Sequence, residues 1–226
     1  MSEANERIKQ IAEFAREHLE QAGRDLPASW NTPAYRWQHT LRVAHYGKLL
    51  AEVERANVEW VVAACLLHDV AHFEAEEDYS GHGRLGAQIS RPFLQSLGYG
   101  SEAVNAICYA IAVHVDGDAG FEHEETLEAK VVSDADNIDR FGAFRILQNC
   151  VYELQAGMGD MDQLADALGS RLQKLHQLRQ GAMLETPEGE RLFVQQIEHQ
   201  IAFFQALAGE AEITRLPELP QRAGLV

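Results

Sequence analysis

Apolar residues recur at three- and four-residue spacing in nearly every segment of the chain, and nowhere do they alternate at period two for more than a few positions. This pattern predicts an all-α fold, a single compact bundle of about seven to nine helices. A first helix is expected over 5–21, with Ile8, Ile11, Phe14, Ala15 and Leu19 on one stripe and a stop near Gly23. Thr32 and Pro33 read as a cap followed by proline at the first helical position, opening a helix that runs to about Arg55. Asn57 opens the next helix. Its run VEWVVAACLL is apolar almost all round until it meets His68 and Asp69, the pattern of a central buried helix that delivers polar groups at its C-terminal end. Ser80 and Ser101 read as N-caps of helices over 80–97 and 101–115, with Glu102 in the first turn of the second. Helices over 125–154, 163–182 and 186–208 complete the set, and Thr186 with Pro187 repeats the cap-and-proline start. One domain is expected over 1–208, with its core at about 34–205, followed by a C-terminal tail over 209–226.

Composition narrows the partners. A net charge of -16 and the absence of any Lys/Arg cluster argue against a long nucleic acid. The same charge leaves room for a small anionic substrate, because a bound cation dominates the field around it. No run approaches the roughly 20 apolar residues that span a bilayer, and the N-terminus lacks a basic segment leading into an apolar one, so neither membrane insertion nor export is expected. Cys65, Cys108 and Cys150 are odd in number and widely spaced, which supports neither a disulfide framework nor a metal knuckle and points to a reducing cytoplasm. The amphipathic helices admit a homodimer without specifying one.

Of the ten histidines, His18, His45, His123, His176 and His199 sit in polar or mixed surroundings and read as surface or structural. His68 and Asp69 differ, because an imidazole and a carboxylate directly after VVAACLL are costly unless paired or bound to a cation. A catalytic metal needs further ligands from other helices. His39, with Arg42 three residues on, and the acidic positions Asp134, Asp136 and Asp139 among Val131, Val132, Ile138 and Phe141 are the candidates. A solvated acidic edge is the alternative for the last group. HDVAH is superficially similar to the zinc motif HExxH, but aspartate is one methylene short for its base, and that reading leaves His39 and the later aspartates unexplained.

The order His39, then His68-Asp69, then Asp136, on successive helices, resembles the H…HD…D signature of the HD superfamily of metal-dependent phosphohydrolases. LLHDVAH, KVVSDADNIDRFGA and the helix start MLETPEGERLF extend the resemblance to the small bacterial members, over about residues 34–205. It implies His39, His68, Asp69 and Asp136 as metal ligands, Asp136 being preferred to Asp134. It also implies His82 and His114 as ligands of a second ion or as substrate contacts, and one or two divalent ions of Mn, Fe, Co, Ni or Zn, with Mg admissible. Asp69 and His72 are the implied catalytic residues, His72 as general acid, phosphate contact or support to the ligands. Arg42 and Lys130, each within a few residues of an implied ligand, are expected to neutralise substrate phosphate. The implied activity is hydrolysis of a phosphate ester or anhydride of a nucleotide or other small phosphorylated metabolite. Two alternatives remain: a mixed-valence di-iron oxygenase, a minority branch of the same superfamily, and a non-catalytic nucleotide-binding module.

Overall fold

The computed structural model describes residues 2–25, 31–75, 81–155, 161–181 and 184–214. Among them are nine helices and no strand, so the all-α expectation holds. They divide into two compact units, one formed by Met1–Arg140 with Leu184–Arg191 and the other by Phe141–Met183 with Leu192–Val226.

The first unit contains α1 (Glu3–Ala22), α2 (Pro33–Glu54), α3 (Val58–Leu67), α4 (His82–Ser96), α5 (Ser101–Val113) and α6 (Leu127–Arg140). Local chemistry sets their ends. Ser2 Oγ accepts the backbone N–H of Asn5, Thr32 Oγ1 that of Tyr35, and Asn57 Oδ1 that of Trp60, which satisfies one orphan donor at each start. Helix α2 closes on Arg55 in the left-handed region, at φ 64°. Helix α3 is enclosed by α1, α2, α5 and α6, and Val61, Ala63, Ala64, Cys65 and Leu67 are fully buried. Burial on every side is what its unbroken apolar sequence demands, and it brings the chain from Leu67 into His68 and Asp69 inside the bundle.

Several expected boundaries shift. Ser101 is the first residue of α5 and not its cap; Gly100 holds the cap position without a side-chain hydrogen bond, and the helix stops at Val113. Helix α4 begins at His82, and the expected cap Ser80 lies outside the described residues. The single helix expected over 125–154 is two, because the backbone leaves helical geometry at Phe141 and Gly142. A helix of thirty residues would have passed Gly142, whose lost backbone freedom is a cost in a helix interior.

In the second unit, the side-chain amide of Gln200 donates to the Phe141 carbonyl that this break exposes. The unit comprises α7 (Ala143–Gln155), α8 (Met161–Gln180) and all but the first turn of α9 (Pro187–Thr214). Leu175, Phe193, Ile197, Ile201 and Phe204 form its core, and Phe141 meets Phe193 edge to face with ring centres 4.9 Å apart. Helix α9 continues six residues past the expected end at Ala208, into the segment assigned to the tail. No described helix is long and apolar enough to cross a membrane.

Candidate metal centre

Five helices of the first unit aim polar side chains at one buried point. Arg36, His39 and Arg42 follow one another at i, i+3 along α2 and share its inner face. His68 caps α3, and Asp69 and His72 follow in the turn behind it. Asp136 and Asp139, again three apart, project from α6. His82 opens α4 and His114 closes α5. His82 reaches His114 because the two helices touch backbone to backbone: a Cβ on Gly83 would lie 2.7 Å from the Ala112 carbonyl and 2.9 Å from that of Ile111.

Asp69 lies between two pairs of imidazoles. Its Oδ2 is 3.3 Å from His68 Nε2 and 3.5 Å from His39 Nε2, and these two nitrogens are 3.3 Å apart. Asp136 Oδ1 closes that group at 3.2 Å from His39 Nε2 and 4.0 Å from His68 Nε2. On the other side, Asp69 Oδ1 is 3.1 Å from His82 Nε2 and 3.9 Å from His114 Nε2, with 3.2 Å between the two nitrogens. His39, His68, Asp69, His82 and His114 are all at most 7% exposed.

The proton positions show what such a pocket accepts. His68 Nδ1 is 2.7 Å from the Cys65 carbonyl and His114 Nδ1 is 2.7 Å from that of Ile111. A carbonyl only accepts, so both Nδ1 atoms carry protons and, in the neutral rings, the Nε2 lone pairs face inward. His39 Nδ1 likewise donates to Asp139 Oδ2 at 2.6 Å. Two Nε2 atoms 3.3 Å apart, each with its ring proton committed to Nδ1, repel unless a cation lies between or beside them. In the metal-free protein a proton supplies that charge: burial opposes the His39 imidazolium, yet Asp136 and Asp139 outweigh it and push its pKa up to about 9. Burial alone would raise the Asp69 and Asp136 carboxyls. Arg36 and His68 hold Asp69 well below the usual range, and His39 and His68 do the same for Asp136. Burial, aided by His68 and His82, lowers His114 to about 4, so its ring is neutral and its lone pair free at physiological pH. Neutral imidazoles with ionised carboxylates are the donor set that a borderline divalent metal takes, and each Nδ1 bond outside the pocket orients its ring. Among the described residues, two donor sets have ligand atoms within 4.8 Å of one another, His39 with His68 and Asp69, and Asp69 with His72 and His82.

The other residues singled out from the sequence are placed as follows. Asp134 faces away from the centre and accepts hydrogen bonds from the backbone of Glu185 and Thr186 and from Thr186 Oγ1, at 2.9, 2.8 and 2.6 Å. Gly189 makes room for this clamp, since a Cβ there would lie 2.2 Å from Asp134 Oδ2. Arg42 gives Nε and NH2 to Asp139 at 2.6 and 3.1 Å. Lys130 pairs with Glu125 at 2.9 Å and, with Arg140 and Tyr109, lines a cavity of about 230 Å³ that reaches His114. His72 is buried beside Asp69, its Nδ1 3.7 Å from Oδ1. Sequence reasoning had no role for Arg36, whose NH1 donates to Asp69 Oδ2 at 2.6 Å, nor for Asp139 as the partner of His39. Their spacing was a usable signal, each standing three residues from an implied ligand on the same helix.

The HD-domain family matches residues 36–140, a span that holds all the polar residues of the centre from Arg36 to Asp139. The uncharacterized protein YpgQ of Bacillus subtilis (strain 168) is 27% identical over 177 residues, which cover 73% of this chain and 83% of YpgQ. The structure of an HD-superfamily hydrolase from Bacillus thuringiensis aligns with a TM-score of 0.67 at 22% identity, over 92% of this chain and 97% of that one. Bacillus subtilis YpgQ in complex with ADP aligns with a TM-score of 0.63 at 22% identity, over 92% and 97% of the two chains. A predicted HD superfamily hydrolase from an uncultured Thermotogales bacterium gives 0.63 at 20% identity, over 89% and 91%.

Proposed function

We propose that the chain, whose residues 36–140 match the HD domain, is a metal-dependent phosphohydrolase of that superfamily acting on a small phosphorylated substrate, a nucleotide foremost. The observation that carries this reading is Asp69, whose two oxygens each face a pair of inward Nε2 atoms. His39, His68, Asp69 and Asp136 would hold one divalent cation, and Asp69, His82 and His114 a second. When bound, such cations supply positive charge to phosphoryl oxygens and acidify water for attack on phosphorus.

The rest falls to the chain's own groups. Arg36 holds Asp69 in place and ionised. Asp139 anchors His39, and Arg42 in turn anchors Asp139. Lys130 and Arg140, with Ser133 and Asn137, offer donors to substrate oxygens in the cavity that opens from His114. His72 stands beside Asp69 to meet the reacting phosphate group. The ADP bound by YpgQ supports a nucleotide as the substrate class.

The same six donors also favour a second reading, a di-iron oxygenase, because His82 and His114 complete a second imidazole set around Asp69. The test of both is metal analysis of the purified protein, followed by phosphate and pyrophosphate release from a nucleotide panel with Mn, Co, Ni or Mg restored. Metal-dependent release that Asp69→Ala abolishes supports the hydrolase. Two irons per chain with oxygen uptake and no release would replace it with the oxygenase.

A further inference from the structure

Asn31 bridges two residues of the centre that are far apart in sequence. Its Oδ1 accepts from Arg36 NH2 at 3.0 Å, and its Nδ2 lies 2.9 Å from His72 Nε2. Chemistry decides which end of the amide faces which neighbour. A guanidinium has donors only, so Oδ1 faces Arg36; Arg36 is itself held by Asp69 Oδ2 at 2.6 Å. The amide nitrogen, which carries only protons, is thereby turned to the ring. A ring nitrogen 2.9 Å from an N–H donor must present its lone pair. His72 therefore keeps its proton on Nδ1, the nitrogen 3.7 Å from Asp69 Oδ1.

We infer that Asn31 is a positioning residue which, held by Arg36, locks His72 in the Nδ1–H tautomer. Two consequences follow. His72 stays out of the metal coordination sphere, although its position beside Asp69 and His82 would otherwise qualify it as a ligand. It also turns an N–H towards Asp69, 3.7 Å away, and meets an incoming phosphate oxygen as a hydrogen-bond donor, and not as a base towards water. The second consequence rests on the phosphohydrolase reading, whereas the tautomer stands without it.

The test reads the tautomer directly, by two-bond ¹H–¹⁵N correlation of the histidine rings in the metal-free protein and again with Mg²⁺ or Zn²⁺. The signals of His72 are identified by their loss in His72→Gln. The wild-type protein is expected to show a protonated Nδ1 and a bare Nε2 at His72. Asn31→Asp keeps the shape and the Arg36 contact but replaces the donor with an acceptor, so Nε2 becomes protonated. Metal-dependent kcat/KM falls by about 10–100-fold in Asn31→Asp, at least as far as in Asn31→Ala. A role in filling space alone predicts the opposite order. A protonated Nε2 in the wild-type protein, or an unchanged ring pattern in Asn31→Asp, overturns the inference. The expected ring signals in a protein that releases no phosphate from any substrate would leave the lock standing and remove the hydrolase.

Discussion

Replacing Asp139 tests how His39 is held. Asp139 receives three donors, His39 Nδ1 and Arg42 NH2 on Oδ2 and Arg42 Nε on Oδ1. Asparagine retains one acceptor oxygen, so its NH2 must turn to one side. Turned to His39, it would drive the ring proton to Nε2 and destroy the lone pair that faces the centre. Turned to Arg42, it meets a guanidinium whose side chain is 23% exposed and free to move towards water, the cheaper choice. Asp139→Asn thus keeps the ring oriented and loses the anchoring charge, and metal affinity falls about tenfold, or about 1.4 kcal/mol. Asp139→Ala removes the anchor altogether and costs about 100-fold, or about 2.7 kcal/mol. The assay is Mn²⁺ affinity by competition with a chelating dye, on variants whose circular dichroism melts show an intact fold. Wild-type affinity in both variants would refute the idea that Asp139 orients a metal ligand. Arg42→Ala separates the two roles open to that arginine: acting through Asp139 it weakens metal binding, whereas a direct phosphate contact would raise KM and leave metal affinity unchanged.

To serve as a ligand, His39 must surrender the proton that it holds up to about pH 9 in the metal-free protein. Calorimetry at pH 7 in buffers of different ionisation heat should therefore detect release of about one proton with the first ion, and affinity should rise about tenfold per pH unit until about pH 9; release near zero at pH 7 contradicts this. Because the folded value lies above the ordinary 6.5, the charged ring stabilises the metal-free protein fully below that pH and stops doing so as pH rises through about 9, so the metal-free melting temperature should fall across this window. Gly83→Ala forces its new methyl against two backbone carbonyls, which costs about 1–3 kcal/mol and moves His82 from His114; bound metal should drop from two ions to one, and an unchanged stoichiometry would count against the second site. Asp134→Ala should lower stability by about 1–3 kcal/mol and spare metal content, while Asp136→Ala should lose metal; the reverse result would exchange the roles of the two aspartates.

The helices were readable in the sequence because their signals are local. Thr32 with Pro33, Asn57, and the all-round apolar run of α3 each specify their structure within a few residues, and the packing around α3 confirms what its composition requires. The break at Phe141 and Gly142 also had a local signal, since a thirty-residue helix exceeds the usual three or four turns and Gly142 lies inside it. The site is harder, because helical periodicity fixes which residues share a face but not which face turns inward. Positions 134 and 136 are about 200° apart on a helix, so only one of them can face the centre, and 136 shares its face with 139. The clamp that turns Asp134 outward involves Thr186, a partner 52 residues away that no local pattern supplies. Asn31 is further still from any local rule. An asparagine before a helix reads as loop chemistry, and its link to His72 spans 41 residues. It acquires a role only when the turn after α3 brings His72 next to the start of α2. The residues proposed as ligands stand out as polar residues interrupting apolar helices, whereas those that hold their ring protons look ordinary in sequence, because their work is done by hydrogen bonds across the fold.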